Sequence, residues 1–163
     1  MAKPAMYERT TRESNWDRIN PAIRQAIEAH IEKYELGPIA DDVLACIETT
    51  STQYKKGLLG IRSNPVDRDM ESVVAALVTP GWFIWGHYGD KTGTAVMTAR
   101  IDNLEVLPYQ HAAIFEDHGI HITGLWTGAV QRSQMFMGMG TESDAEEFKQ
   151  VLKDAVEKAH NRA

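Results

Sequence analysis

Ser72-Val73-Val74-Ala75-Ala76-Leu77-Val78-Thr79-Pro80-Gly81-Trp82-Phe83-Ile84-Trp85 is the stretch that decides the fold. Two apolar runs rich in Val, Ile and aromatic residues flank Thr79-Pro80-Gly81. Branched and aromatic side chains suit a pleated surface, and Pro followed by Gly suits a tight turn, so the stretch predicts an antiparallel hairpin. Gly89-Asp90-Lys91-Thr92-Gly93 and Glu116-Asp117-His118-Gly119 supply further turns between runs of the same kind. The predicted strands are 43–53, 72–79, 82–88, 94–101, 104–108, 112–116, 120–127 and 130–137, and their short links predict a meander. Residues 54 to 71 form a longer connection with room for a short strand at Leu58 to Arg62.

The segments on either side of the meander carry a different period. Upstream, Ile19, Ile23, Ile27 and Ile31 recur every four residues, which places one apolar stripe on a helix from about 20 to 34. Asn20-Pro21 starts it, and Gly37-Pro38 stops it. Downstream, Phe148, Val151, Leu152, Ala155, Val156 and Ala159 form a second stripe, on a helix from 143 to about 160. Ser143 and Glu146 have the spacing of a capping box at its start. Residues 1 to 14 are polar and without apolar period, and are expected to fray.

The predicted class is therefore α+β. A mainly antiparallel, strongly bent sheet or partial barrel is closed by a C-terminal amphipathic helix and preceded by an N-terminal helix. The predicted division is a tail and helical extension at 1–41 and a sheet domain at 42–163, in one compact unit. At 163 residues and 18.3 kDa the chain is one domain's worth of core. Lys plus Arg total 17 against 23 for Asp plus Glu, a net charge of −6, which disfavours general attraction to nucleic acid or anionic lipid. The single cysteine, Cys46, excludes an internal disulfide, and Met1 to Met6 lack the apolar run of a signal peptide, so the cytoplasm is the expected location.

The 72–85 hairpin resembles that of the bacterial PH-like and GRAM-like domains, in particular the YokE-like group, with Trp82 where the group has Arg. The final strand running into one capping helix is similar again, and the resemblance covers roughly residues 42 to 160. It implies a PH-like domain with an N-terminal helical extension, working as an adaptor or self-assembling unit. It also implies that a phosphoinositide, if bound, is held by basic residues in the connection after the first strand. The candidates there are Lys55, Lys56, Arg62 and Arg68, whose cations suit charge-assisted bonds to phosphate. Asp67, Asp69 and Glu71 in the same connection nearly cancel that field.

Other chemistry is weakly spelled. Gly138-Met139-Gly140-Thr141-Glu142-Ser143 imitates a dinucleotide fingerprint, but four acids crowd it and no parallel strand returns. His118 and His121 are three apart in an extended stretch, which turns them to opposite faces and argues against a shared metal. His30-Ile31-Glu32 lacks the Pro-Cys-x-x-Cys partner of a zinc deaminase. Cys46 lies mid-strand as a small core residue, and Asp102 with Glu105 reads as surface charge. Trp85, Met135 and Met137 alternate as inward core, while Met139, beside two glycines, is expected to be exposed to a partner. The expected function is thus a non-catalytic binding or scaffold module for protein contacts or self-association, with no cofactor and no metal. Weak anionic-lipid binding through 54–71 and a helix-grip carrier or enzyme for a small apolar ligand are the alternatives. The carrier calls for a cavity between the sheet and helix 143–160.

Overall fold

Ala75, Ala76, Leu77 and Val78 are all buried although their side chains alternate between two faces, so the central hairpin must be covered on both sides. The computed structural model, which describes residues 7–53, 71–108 and 118–162, shows how. The hairpin strands are β3 (Glu71–Val78) and β4 (Trp82–Gly89). They lie inside a five-stranded antiparallel sheet ordered β1-β2-β3-β4-β5, with β1 at Tyr7–Glu13, β2 at Ala45–Gln53 and β5 at Gly93–Arg100. A 3-10 turn at Ile101–Asn103 leads into a second, three-stranded sheet of β6 (Glu105–Pro108), β7 (Gly119–Gly124) and β8 (Ser133–Gly138). Among the described residues the strands thus divide between two sheets and do not close into a barrel. Two helices complete the order: α1 (Pro21–Lys33) and α2 (Ser143–Asn161).

Each face of the large sheet has its own core. Cys46, Ala75, Leu77 and Ile84 pack against Ile19, Ile23 and Ile27, which lead into and line α1. Ile47, Ala76, Val78, Phe83 and Ala99 point the other way, into a core shared with Ile120, Ile122 and Met137 of the small sheet and Phe148 and Leu152 of α2. α1 comes so near that a Cβ on Gly86 of β4 would lie 2.5 Å from Cγ2 of Ile23. Residues before 42 are therefore built into the same core as the strands after it.

Local chemistry explains the helix ends. Oδ1 of Asn20 accepts from the amides of Ala22 and Ile23 at 2.9 and 3.3 Å, and Pro21 occupies the first helical position, as the sequence predicts. Glu48 of β2 adds a carboxylate at the same helix start, accepting from the Asn20 amide at 2.6 Å. The capping box at α2 does not form: Ser143 lies inside the first turn, and Glu142 is the cap residue without a side-chain cap bond. The acids there face β1 instead. Glu142 takes the Thr11 amide at 3.3 Å through each oxygen, and Asp144 takes the Glu13 amide at 2.8 Å.

That arrangement corrects the expectation of a frayed tail over 1–14, since residues 7–13 form an edge strand. The first described element is accordingly a strand, and the helix at 21–33 follows it rather than leading the chain. Strand β1 is fixed across the gap between the sheets. The buried Thr11 hydroxyl sits 2.7 Å from that of Thr49 and accepts the Gly140 amide at 2.9 Å. Met139 is also corrected, being buried at 1% exposure beneath this seam. The strand predicted at 120–127 ends at Gly124, and the one predicted at 130–137 begins at Ser133, leaving a loop at 125–132. The predicted strand at 112–116 lies outside the described residues, as does the 54–71 connection except for Glu71.

Candidate interaction site

The loop at 125–132 is held at both ends and in the middle. Asn103 grips the two ends: its Oδ1 accepts the Leu125 amide at 3.1 Å, and its carbonyl accepts from Nη1 of Arg132 at 2.6 Å. Trp126 turns inward, buried with its ring 6.2 Å from that of Phe83, and its Nε1 donates to the Ser133 carbonyl at 3.1 Å. The Ala129 amide then closes a turn onto the Trp126 carbonyl at 2.9 Å.

In the middle, Thr127 meets the outer side of β5. Its amide donates to the Thr98 carbonyl at 2.8 Å, and its hydroxyl donates to the same oxygen at 3.1 Å. The Thr98 hydroxyl donates to the Thr127 hydroxyl at 2.7 Å. Each hydroxyl has one proton, so Nε2 of His30, 2.9 Å from Oγ1 of Thr98, must be the donor in that contact. Proton positions thus run in one direction, from α1 through Thr98 to Thr127. Burial, with the Lys33 charge nearby, lowers the His30 pKa from its ordinary value. Because the imidazole donates to Thr98 rather than accepting its proton, the pair is a pin and not a base activating a nucleophile.

What this scaffold presents is apolar. Val130 stands at the tip with 96% of its surface exposed, and Leu125 and Tyr34 flank the loop at 42% and 37%. Gly128 has φ of +86°, and a Cβ there would lie 2.7 Å from the Tyr34 hydroxyl, so only glycine fits the turn against that ring. Beside the loop, the outer edge of β5 continues through Val96 and Thr94.

Lys55, Lys56, Arg62 and Arg68, the cations predicted to hold a phosphate, lie outside the described residues; their connection leaves β2 at Gln53 and joins β3 at Glu71. The dinucleotide-like segment is occupied by the chain itself. The Arg9 guanidinium lies where a Gly138 side chain would be, and a Gly140 side chain would meet the Glu142 carboxylate. His121 packs its ring 5.4 Å from Phe136, and no cluster of three or more metal-ligating side chains occurs among the described residues. Burial first, then Glu48 and Glu13, push the Cys46 thiol up to about 12, so it is no nucleophile at neutral pH. Among the described residues, the space between the large sheet and α2 is filled by Phe83, Trp126, Met137, Phe148 and Leu152. An open depression of about 440 Å³ lies instead at the outer end of α2, along Asp154, Glu157, Lys158, Asn161 and Arg162.

Sequence reasoning missed Arg9, Thr98, Thr127 and Val130. Arg9 stacks its cation over the rings of Tyr7 and Phe136, at 5.0 and 5.9 Å, and donates to Ser51 at 3.2 Å. The Gly128 turn signal inside a predicted strand-to-strand passage was the cue available for the loop. Comparison of the chain with protein-family models, with curated proteins and with solved structures finds no match. No described helix is long and apolar enough to cross a membrane.

Proposed function

We propose that the chain is a non-catalytic, PH-like contact module that binds protein through the side formed by the 125–132 loop and the outer edge of β5. The carrying observation is Val130, fully presented on a loop that hydrogen bonds hold at Leu125, Thr127 and Arg132. An apolar side chain on a fixed support loses little conformational freedom on binding, which is what favours a contact residue. The two antiparallel sheets and the C-terminal helix support the PH-like description. The net charge of −6 favours protein over anionic lipid as the partner.

The test is a photo-crosslinking amino acid at position 130, and separately at exposed Glu147 on α2, in the native cells. Discrete protein adducts at 130 and none at 147 are expected. No adduct at 130, together with sedimentation on anionic liposomes that Lys55→Glu/Lys56→Glu abolishes, refutes the reading and makes this a peripheral membrane module.

A further inference from the structure

Helix α1 reaches the contact loop at two points. Tyr34, which caps the C-terminal end of the helix, lies against Gly128, and its ring hydroxyl fills the space a side chain there would need. His30, one turn earlier, packs its ring 4.8 Å from that of Tyr34. The same imidazole sets Nε2 2.9 Å from Oγ1 of Thr98, a fully buried side chain of β5. Thr98 in turn holds Thr127, in the middle of the loop, through its hydroxyl and its carbonyl. An unbroken line of contacts therefore runs from the last turns of α1 into the segment that carries Val130.

Resting on the contact-module reading, we infer that His30 is the positioning residue of the 125–132 loop: the direction it gives to the Thr98 and Thr127 hydroxyls fixes how many bonds hold the loop to β5. Each hydroxyl has a single proton, so the direction of one bond dictates the next. With the imidazole proton on Nε2, Oγ1 of Thr98 accepts it and passes its own proton to Oγ1 of Thr127, which donates to the Thr98 carbonyl. The Thr127 amide adds a further bond to that carbonyl, so three bonds join loop and strand. With Nε2 bare, the Thr98 hydroxyl must donate to it, and the Thr127 hydroxyl must then donate to the Thr98 hydroxyl. The carbonyl keeps the amide alone, and two of the three bonds remain. His30 thus acts on the presentation of Val130 through two intervening side chains.

The test uses two changes of like size that differ in what they donate. His30→Gln keeps an amide donor, whereas His30→Glu supplies a carboxylate that only accepts and so reverses the chain of hydroxyls. Amide hydrogen exchange, followed by NMR on the full chain, reads local opening at residue 127. Loss of one loop bond should cut protection there about 2–12-fold in His30→Glu, while His30→Gln should stay within about twofold of the native chain. In a Thr127→Val background the hydroxyl at the end of the chain is gone, so the two changes at position 30 should give equal protection. A role confined to packing would separate them equally in both backgrounds. The ring-nitrogen shifts of His30 at neutral pH should show Nε2 protonated and Nδ1 bare. A bare Nε2, equal protection in the two variants of the native background, or a difference that persists without the Thr127 hydroxyl overturns the inference. None of these readings needs a partner, so a lack of adducts at position 130 removes the contact-module reading alone, and exchange still decides whether His30 positions the loop.

Discussion

Replacing Thr11 by Val keeps the shape of the side chain and removes one hydroxyl. Thr11 is 0% exposed, and its hydroxyl serves two neighbours: the Thr49 hydroxyl at 2.7 Å and the Gly140 amide at 2.9 Å. Loss of the Thr49 bond costs about 0.5–1.5 kcal/mol, and stranding a buried amide costs about 1–3 kcal/mol more, so the expected total is about 1.5–4.5 kcal/mol. Thr49→Val loses only the first bond, because Thr11 still serves Gly140, and should cost about 0.5–1.5 kcal/mol. The double variant should be no worse than Thr11→Val by more than about 0.5 kcal/mol, since both single changes delete the same bond. Urea unfolding followed by tryptophan fluorescence reads these differences as midpoint shifts at constant slope. If Thr11→Val costs less than about 0.5 kcal/mol, as a surface or frayed position would, then β1 is not fixed across the seam and the reasoning fails.

Two further outcomes are expected. Gly86→Val forces side-chain atoms into Ile23 and Ile27 and should cost about 1–3 kcal/mol in unfolding experiments, whereas Gly81→Val, with open space around its Cβ, should cost much less; equal costs would show that α1 does not approach β4 as described. For His30 the folded pKa lies below the unfolded one, so the unfolded chain binds more protons between those two values. Its contribution to stability should therefore be complete above about pH 6.5 and fall as the pH drops. His30→Gln, which keeps a donor for Thr98 but does not titrate, should flatten that slope in urea midpoints between about pH 5 and 7, and an unchanged slope would assign it to other groups.

The meander was legible because β3 and β4 carry runs of branched and aromatic residues, Val73, Val74, Leu77 and Val78 and then Trp82 to Trp85, on either side of Thr79-Pro80-Gly81, and the middle strands are buried on both faces. Helix α1 was legible because Asn20, Pro21 and the isoleucine stripe agree with one another. Strand β1 was not, because the face it buries is closed by hydrogen bonds rather than by apolar contact. Arg9 and Thr11 in Tyr7–Glu13 carry no hydrophobic alternation, and their partners, Phe136, Gly140 and Glu142, lie more than 120 residues away. The capping box at Ser143 misled for a related reason: the nearby acids are committed to β1. The candidate site was illegible because Val130 beside Arg132 to Met137 reads as the start of a strand, whereas residues distant in sequence, Asn103, Thr98 and Phe83, hold 125–132 out as a loop. The basic group at 55–68 was the more conspicuous signal and lies outside the described residues.

The bond from the Thr11 amide to Glu142 spans 131 positions, and the one from Glu13 to Asp144 spans as many. At translation rates of about 5–20 residues per second, the carboxylates that shield this edge are made about 7–26 s after the strand they shield. The nascent chain can form its inner pairings as each hairpin emerges, but its first strand leaves the ribosome with an uncovered side. Any chaperone that attends this protein during synthesis therefore has an early and definite task, which ends when α2 has emerged and can fold back onto β1.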